Sequence, residues 1–204
     1  MDNHSPKELS KLACDLRILL LDVDGVLTDG GIILIGTDLE AKRFDVQDGM
    51  GIRMLRTAGL MVGIVTSRTS DVVQRRAKEL DIEELFQGVK EKPIVLNNLS
   101  QKYGINPSQA AFVGDDLQDI PLLKLVGIPI AVQNAVPDVK HCSSYVTKAF
   151  GGHGAVREIA EWLLDLRGDT ERVYQSITGL ESEQKVMTFC SDRSAKSNPE
   201  VVSS

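Results

Sequence analysis

The chain has 204 residues, of which 42% are hydrophobic and 25% charged, with a net charge of −6. That profile argues against a disordered or membrane protein and allows one domain with a full core, plus tails. An acidic surface disfavours nucleic acid and anionic membranes as partners, so an anionic substrate needs a local cationic pocket.

The three cysteines, Cys14, Cys142 and Cys190, are far apart and form no Cys-x-x-Cys pair, which speaks against a disulfide framework or a zinc site. Residues 1–11 are polar and carry no apolar signal core. The longest apolar runs, such as 18–21, are too short to span a bilayer. A cytoplasmic protein is expected.

The first predicted element is a helix over residues 6–15, with Ser5 as N-cap, Pro6 at its first position, and Leu9, Leu12, Ala13 and Leu16 at helical spacing. Residues 17–23 form a short Ile/Leu/Val-rich run, read as a buried strand. Extended runs at 32–35 and 40–46 flank Gly36-Thr37-Asp38 and predict a β-hairpin. A helix follows from Asp48 and stops at Gly59; residues 60–66 are the next strand. Ser70 caps a helix to Leu80, with Asp71 in its first turn. Lys92-Pro93 opens a helix ending near Tyr103-Gly104. Residues 110–113 are a third central strand, followed by a short helix to Leu125. Strands are read at 128–132 and 145–147. Residues 155–166 form an amphipathic helix with Val156, Ile159, Ala160, Leu163 and Leu164 on one face.

This alternation predicts an α/β fold, a Rossmann-like doubly wound parallel sheet with helices on both faces and a protruding hairpin. Its chemistry belongs at the carboxyl ends of the strands. The chain divides into an N-terminal helical extension (1–15), one α/β domain (16–178) and a polar tail (179–204) expected to be flexible.

Polar clusters fall at or just past the strand ends: Asp22 with Asp24, Thr66-Ser67-Arg68, Lys92, and Asp115-Asp116 with Asp119. Positions i and i+2 of an extended segment share a face, so Asp22 and Asp24 repel unless a cation or shared proton relieves them. A lone Asp-x-Asp is as readily a pair of turn caps. Here it ends an apolar strand, precedes Gly25, and is matched by Gly114-Asp115-Asp116 after another apolar strand. Three carboxylates at neighbouring strand ends make a hard-oxygen site suited to Mg²⁺. Thr66 and the amides entering the next helix can hold phosphate oxygens, and Lys92 can neutralise a transferring group. Taken singly, Thr66 reads as a hydroxyl satisfying local backbone and Lys92 as a solvated first-turn lysine. A cation placed against the dipole of its own helix suggests an external reason to be there.

In order and spacing, Asp22-x-Asp24-Gly-x-x-Thr28, Thr66, Lys92 and Gly114-Asp115-Asp116-x-x-Asp119 resemble the four motifs of the haloacid dehalogenase-like phosphatases. Phe44-Asp45-Val46-Gln47-Asp48-Gly49-Met50-Gly51-Ile52-Arg53, Thr66-Ser67-Arg68, Tyr145-Val146-Thr147 and Gly151-Gly152-His153-Gly154-Ala155-Val156-Arg157-Glu158 narrow the resemblance to phosphatases of 3-deoxy-D-manno-octulosonate 8-phosphate, KDO 8-phosphate. It runs from about residue 16 to residue 177.

The resemblance implies that Asp22 is the nucleophile, forming an aspartyl phosphate, and that Asp24 is the general acid and then base. It implies Mg²⁺ held by Asp22, the Asp24 backbone carbonyl and Asp115, with Thr66 and Lys92 on the phosphoryl group. Asp119 is left to orient Lys92 or a metal-bound water. The substrate set comprises Asp24, Asp45, Val46, Gln47, Asp48, Gly49, Arg53, Arg68, Arg76 and Lys92. Arg68 is the best match for a sugar carboxylate, which a guanidinium grips in bidentate fashion. His153 reads as a loop residue.

One hairpin and one helix fill the stretch from Asp24 to Thr66, and one helix with a short strand fills that from Thr66 to Lys92. Neither leaves room for a separate cap domain. A homotetramer, in which the hairpin near 31–45 closes a neighbour's site, is the family's solution and the expectation here; a hairpin lying on its own subunit is the alternative. Two other functions stay open. One is a phosphatase of a nine-carbon sugar acid, KDN or sialic acid 9-phosphate. The other is a non-catalytic module: an oligomerisation module is disfavoured by the presence of every chemical residue, and a receiver-type module by the second acidic cluster that follows Lys92.

Overall fold

The computed structural model describes residues 5–37 and 39–180. Helix α1 (Pro6–Asp15) opens with the Ser5 side chain on the Glu8 amide and Glu8 returning to the Ser5 amide, a complete capping box. It packs on the last long helix: Ser10 Oγ donates to Leu166 O at 2.8 Å and Arg167 Nη1 to Ala13 O at 2.8 Å.

The strands β1 (Ile18–Leu21), β4 (Met61–Val65), β5 (Glu84–Phe86), β6 (Ala110–Gly114), β7 (Ile128–Ala131) and β8 (Tyr145–Val146) form one parallel sheet ordered β5-β4-β1-β6-β7-β8. β2 (Ile33–Ile35) and β3 (Leu39–Ala41) form a separate antiparallel hairpin. Between the strands lie α2 (Val46–Thr57), α3 (Asp71–Glu79), α4 (Ile94–Tyr103), the four-residue α5 (Ile120–Leu123), α6 (Pro137–His141), α7 (Ala155–Arg167) and α8 (Thr170–Thr178). Parallel strands require right-handed crossovers, which put helices on both faces. This is the expected doubly wound fold.

β1 sits between β4 and β6, and all four of its residues are fully buried. A strand covered on both faces needs apolar residues throughout, hence Ile-Leu-Leu-Leu. α2 and α7 lie in close contact because Gly51 has no side chain: a Cβ there would come within 2.8 Å of Arg157 Cα.

The structure departs from expectation in a few places. The second hairpin strand ends at Ala41 rather than Val46, because the Asp45 side chain accepts the Gln47 amide and starts α2 at Val46, two residues early. α6 and α8 were not anticipated; both are short, and α6 offers too few residues to show a period. Asp38 of the hairpin turn, Cys190 and nearly all of the tail from 179 lie outside the described residues. Among the described residues no helix is long and apolar enough to cross a membrane.

Candidate active site

From β1 the chain winds out through β4 to β5 and returns on the other side of β1 at β6. The carboxyl ends of β1 and β6 therefore flank a topological switch point, where open parallel sheets bind ligands. Leu21 pairs with Val113, and the Asp22 amide donates to Val113 O at 3.1 Å. Asp22 and Asp115 thus leave the sheet side by side. Gly25, at φ +95°, makes this approach possible, since a Cβ there would lie 2.0 Å from Asp115 Oδ2.

Lys92 is 1% exposed, and its Nζ lies 2.8 Å from Asp22 Oδ1 and 2.5 Å from Asp119 Oδ1. Burial alone would lower the lysine's pKa, but Asp22 and Asp119 outweigh it and hold the ammonium above its ordinary range. Lys92 is therefore a buried fixed cation, not a solvated first-turn residue. Asp119 is fully committed: Oδ1 takes Lys92, and Oδ2 accepts the amides of Asp115 at 2.9 Å and Asp116 at 3.3 Å.

The other oxygens are not satisfied. Asp22 Oδ2 and Asp115 Oδ1 are buried without a hydrogen-bond partner among the described residues, and carboxylate oxygens of Asp22, Asp115 and Asp119 lie within 4.8 Å of one another. Burial pushes Asp22 up to about 6, with Lys92 opposing and Asp119 adding to the rise. Burial, then repulsion from Asp22, Asp119 and Asp116, pushes Asp115 up to about 8. Partner-less carboxylate oxygens in a cluster this close are what a hard divalent cation relieves, so the residues fit Mg²⁺. The third carboxylate of this cluster is Asp119 and not Asp24. The Asp24 side chain turns to the Lys42 ammonium on Oδ1, with Arg68 Nε 3.7 Å from Oδ2. The Asp24 side chain is therefore outside this carboxylate cluster.

Thr66 is buried at the end of β4, its Oγ1 accepting the Arg68 amide at 3.3 Å. Arg68 Nη2 reaches Glu40 Oε2 at 3.1 Å. Asp22, Asp24, Thr66, Arg68, Lys92 and Asp115 accordingly gather at the carboxyl edge of the sheet. The 45–53 segment and Arg76 do not join them. Val46, Gly49, Arg53 and Arg76 help line a separate cavity of about 570 Å³, whose wall includes none of Asp22, Asp24, Thr66 or Lys92. Asp45 is spent on capping α2, and Arg76 Nη2 on Asp45 O at 3.4 Å. Asp48, expected to contact substrate, is 2% exposed; its Oδ1 accepts the Arg157 amide at 3.0 Å near the start of α7, and its Oδ2 has no hydrogen-bond partner among the described residues. Burial raises its pKa against that amide's opposing pull. Gln47 is exposed at the start of α2.

Two residues of this site were missed in the sequence, Lys42 and Glu40. They belong to the hairpin root, which reads as strand, and nothing local marks Lys42 as facing Asp24 or Glu40 as facing Arg68.

Comparison with known proteins fits this geometry. Residues 84–159, which include Lys92 and Asp115, match the haloacid dehalogenase-like hydrolase family. The KDO 8-phosphate phosphatase KdsC of Salmonella typhimurium is 43% identical over 164 residues, 80% of this chain and 87% of its own length. The Escherichia coli K12 protein is 43% identical over 154 residues, covering 76% of this chain and 82% of that protein. The chain belongs to the KDO 8-phosphate phosphatase family. Among this family's solved structures, the Moraxella catarrhalis phosphatase in complex with magnesium, phosphate and KDO superposes with a TM-score of 0.80 at 37% identity. The match covers 84% of this chain and 99% of that one. The cobalt-bound Haemophilus influenzae phosphatase gives 0.75 at 34% identity, covering 80% and 94%. As a family member the protein is a Mg²⁺-dependent phosphatase of the haloacid dehalogenase type.

Proposed function

We propose that this protein hydrolyses KDO 8-phosphate to KDO and phosphate. The observation that carries the reading is the state of Asp22, with one carboxylate oxygen on Lys92 and the other bare toward Asp115. Asp22 attacks phosphorus; the bond from phosphorus to the sugar oxygen breaks, and Asp24 gives its proton to that oxygen. Asp24, now a carboxylate, takes a proton from water as the water attacks the aspartyl phosphate, freeing phosphate and restoring both residues. Lys92 and Thr66 hold the transferring oxygens, and Lys92 neutralises charge that grows in the transition state. Bound Mg²⁺, held by Asp22, Asp115 and the Asp24 carbonyl, would supply the positive charge that lets a carboxylate approach a phosphate dianion. Asp119 holds Lys92 and the Asp115 amide in place.

Arg68 is the cation for the sugar carboxylate, since it is half-exposed beside Asp24 and its fork is only partly used by Glu40. The 45–53 segment and Arg76 bind substrate across a subunit boundary, which accounts for their separation from Asp22 within one chain. The assembly is a homotetramer, supported by the hairpin: Ile32, Ile33, Leu34, Ile35 and Leu39 are all exposed, Leu34 at 72%, and such a patch calls for a partner surface. A cytoplasmic location is part of the same reading, supported by the free thiols of Cys14 and Cys142.

Phosphate release from a panel of sugar-acid phosphates, with and without Mg²⁺, tests the proposal. KDO 8-phosphate should be turned over fastest and only with the metal. A strong preference for a nine-carbon acid 9-phosphate would replace the substrate while keeping the mechanism.

A further inference from the structure

Arg43, beside Lys42 at the hairpin root, is the donor to a histidine outside the chemistry. His153 Nδ1 lies 2.9 Å from Gly151 O, and His153 Nε2 lies 2.6 Å from Arg43 Nη2. A carbonyl oxygen can only accept, so Nδ1 carries the ring proton; Nε2 must then accept from the guanidinium. The same Nη2 is 3.4 Å from Gly152 O, and 3.8 Å from Asp29 Oδ2. His153 itself stands on the loop that braces the nucleophile segment. The Gly152 amide donates to Val26 O at 2.9 Å, and a Cβ on Gly151 would meet Gly25 O at 1.8 Å. Asn134 bridges the two, donating to Gly25 O at 2.8 Å and accepting the Gly151 amide at 2.6 Å.

A hairpin of two three-residue strands is marginal by itself, so its direction is set by side chains at its root. We propose that the Arg43–His153 pair is the clasp that registers this root to the nucleophile loop. It places Lys42 against Asp24 and Glu40 against Arg68, and His153 is therefore a positioning residue for the phosphatase reaction. The proposal rests on Asp24 being the general acid.

The experiment compares kcat/KM for KDO 8-phosphate and for p-nitrophenyl phosphate in wild type, Asp24→Asn, Arg43→Ala, His153→Ala, His153→Gln and the Arg43→Ala/His153→Ala double variant. kcat/KM covers steps through phosphoryl transfer. The aryl leaving group needs no proton there, whereas the sugar oxygen does. His153→Ala and Arg43→Ala should each lower kcat/KM about tenfold for the sugar phosphate and less than twofold for the aryl ester. The double variant should be no worse than either single one. Gln, whose amide oxygen can still accept from Arg43, should recover most of the loss, with thermal midpoints unchanged throughout. Equal losses on both substrates, additive losses or no loss would overturn the clasp while a selective Asp24→Asn defect leaves the general-acid reading standing. An Asp24→Asn variant without substrate selectivity would overturn both.

Discussion

β1 and the hairpin that follows it are built from the same residue types and meet opposite fates. Ile18, Leu19, Leu20 and Leu21 are wholly buried between β4 and β6. Ile33, Leu34 and Ile35, a few residues on, are all exposed and paired only with β3. Burial on both faces makes β1 a rigid platform, and the carboxylate just past its end can be held in an unfavourable state. Asp22 is raised toward neutrality by burial because the sheet supplies stability from elsewhere. The hairpin has no such support within one chain, and its apolar surface is available to another. Chemistry thus sits on the self-sufficient element, and in the proposed assembly substrate closure falls to the dependent one.

The largest effect expected is on the platform side. Asp22→Asn should lower kcat/KM by about 10³-fold or more, as removal of a nucleophile does, and abolish covalent phosphate incorporation seen by mass spectrometry. The fold should persist, because Lys92 keeps Asp119 at 2.5 Å, and assembly should be unaffected. A variant with substantial activity would mean that another group attacks phosphorus.

The hairpin side should respond in the reverse way. Leu34→Lys keeps the hairpin itself, since residue 34 pairs with Glu40 and gains an opposite charge across the strands. A substitution at a side chain this exposed changes intrinsic stability by no more than about 0.5 kcal/mol. It should nevertheless weaken a four-subunit assembly, read by light scattering, and lower kcat/KM about tenfold, the equivalent of roughly 1.4 kcal/mol at the transition state. An assembly and activity unchanged by Leu34→Lys would leave the hairpin as a feature of a single subunit.

The same contrast explains what could be read from sequence. The parallel α/β sheet and the placing of Asp22, Thr66, Lys92 and Asp115 at its edge follow from local facts, namely apolar runs with polar ends alternating with helices. Lys92 even betrayed itself by opposing its helix dipole. Lys42, Glu40 and His153 were not legible, because each works through a contact across many residues, such as Arg43 to His153. Asp48 is legible as a motif position but not as a buried group, because the α2–α7 packing allowed by Gly51 sets one of its carboxylate oxygens on the Arg157 amide.

The smallest effect expected is thermodynamic and returns to the platform. Without a cation, Asp22 is raised to about 6 and Asp115 to about 8, so each binds its proton more tightly folded than unfolded. The stability this contributes is complete below the ordinary carboxylate value of 3.8 and is lost as pH rises through about 6 and then about 8. Mg²⁺ competes with those protons, so its stabilisation must grow over the same window. At a metal concentration near 100 times Kd the gain is about 2.7 kcal/mol, or about 5–10 °C in Tm for a domain of this size. Melting curves with Mg²⁺ and with chelator should diverge by that amount at pH 8 and converge toward pH 5. Asp115→Asn should flatten the metal-free decline above pH 6 and remove most of the Mg²⁺ gain. A gain independent of pH would place the ion away from Asp22 and Asp115, on groups already ionised at pH 5.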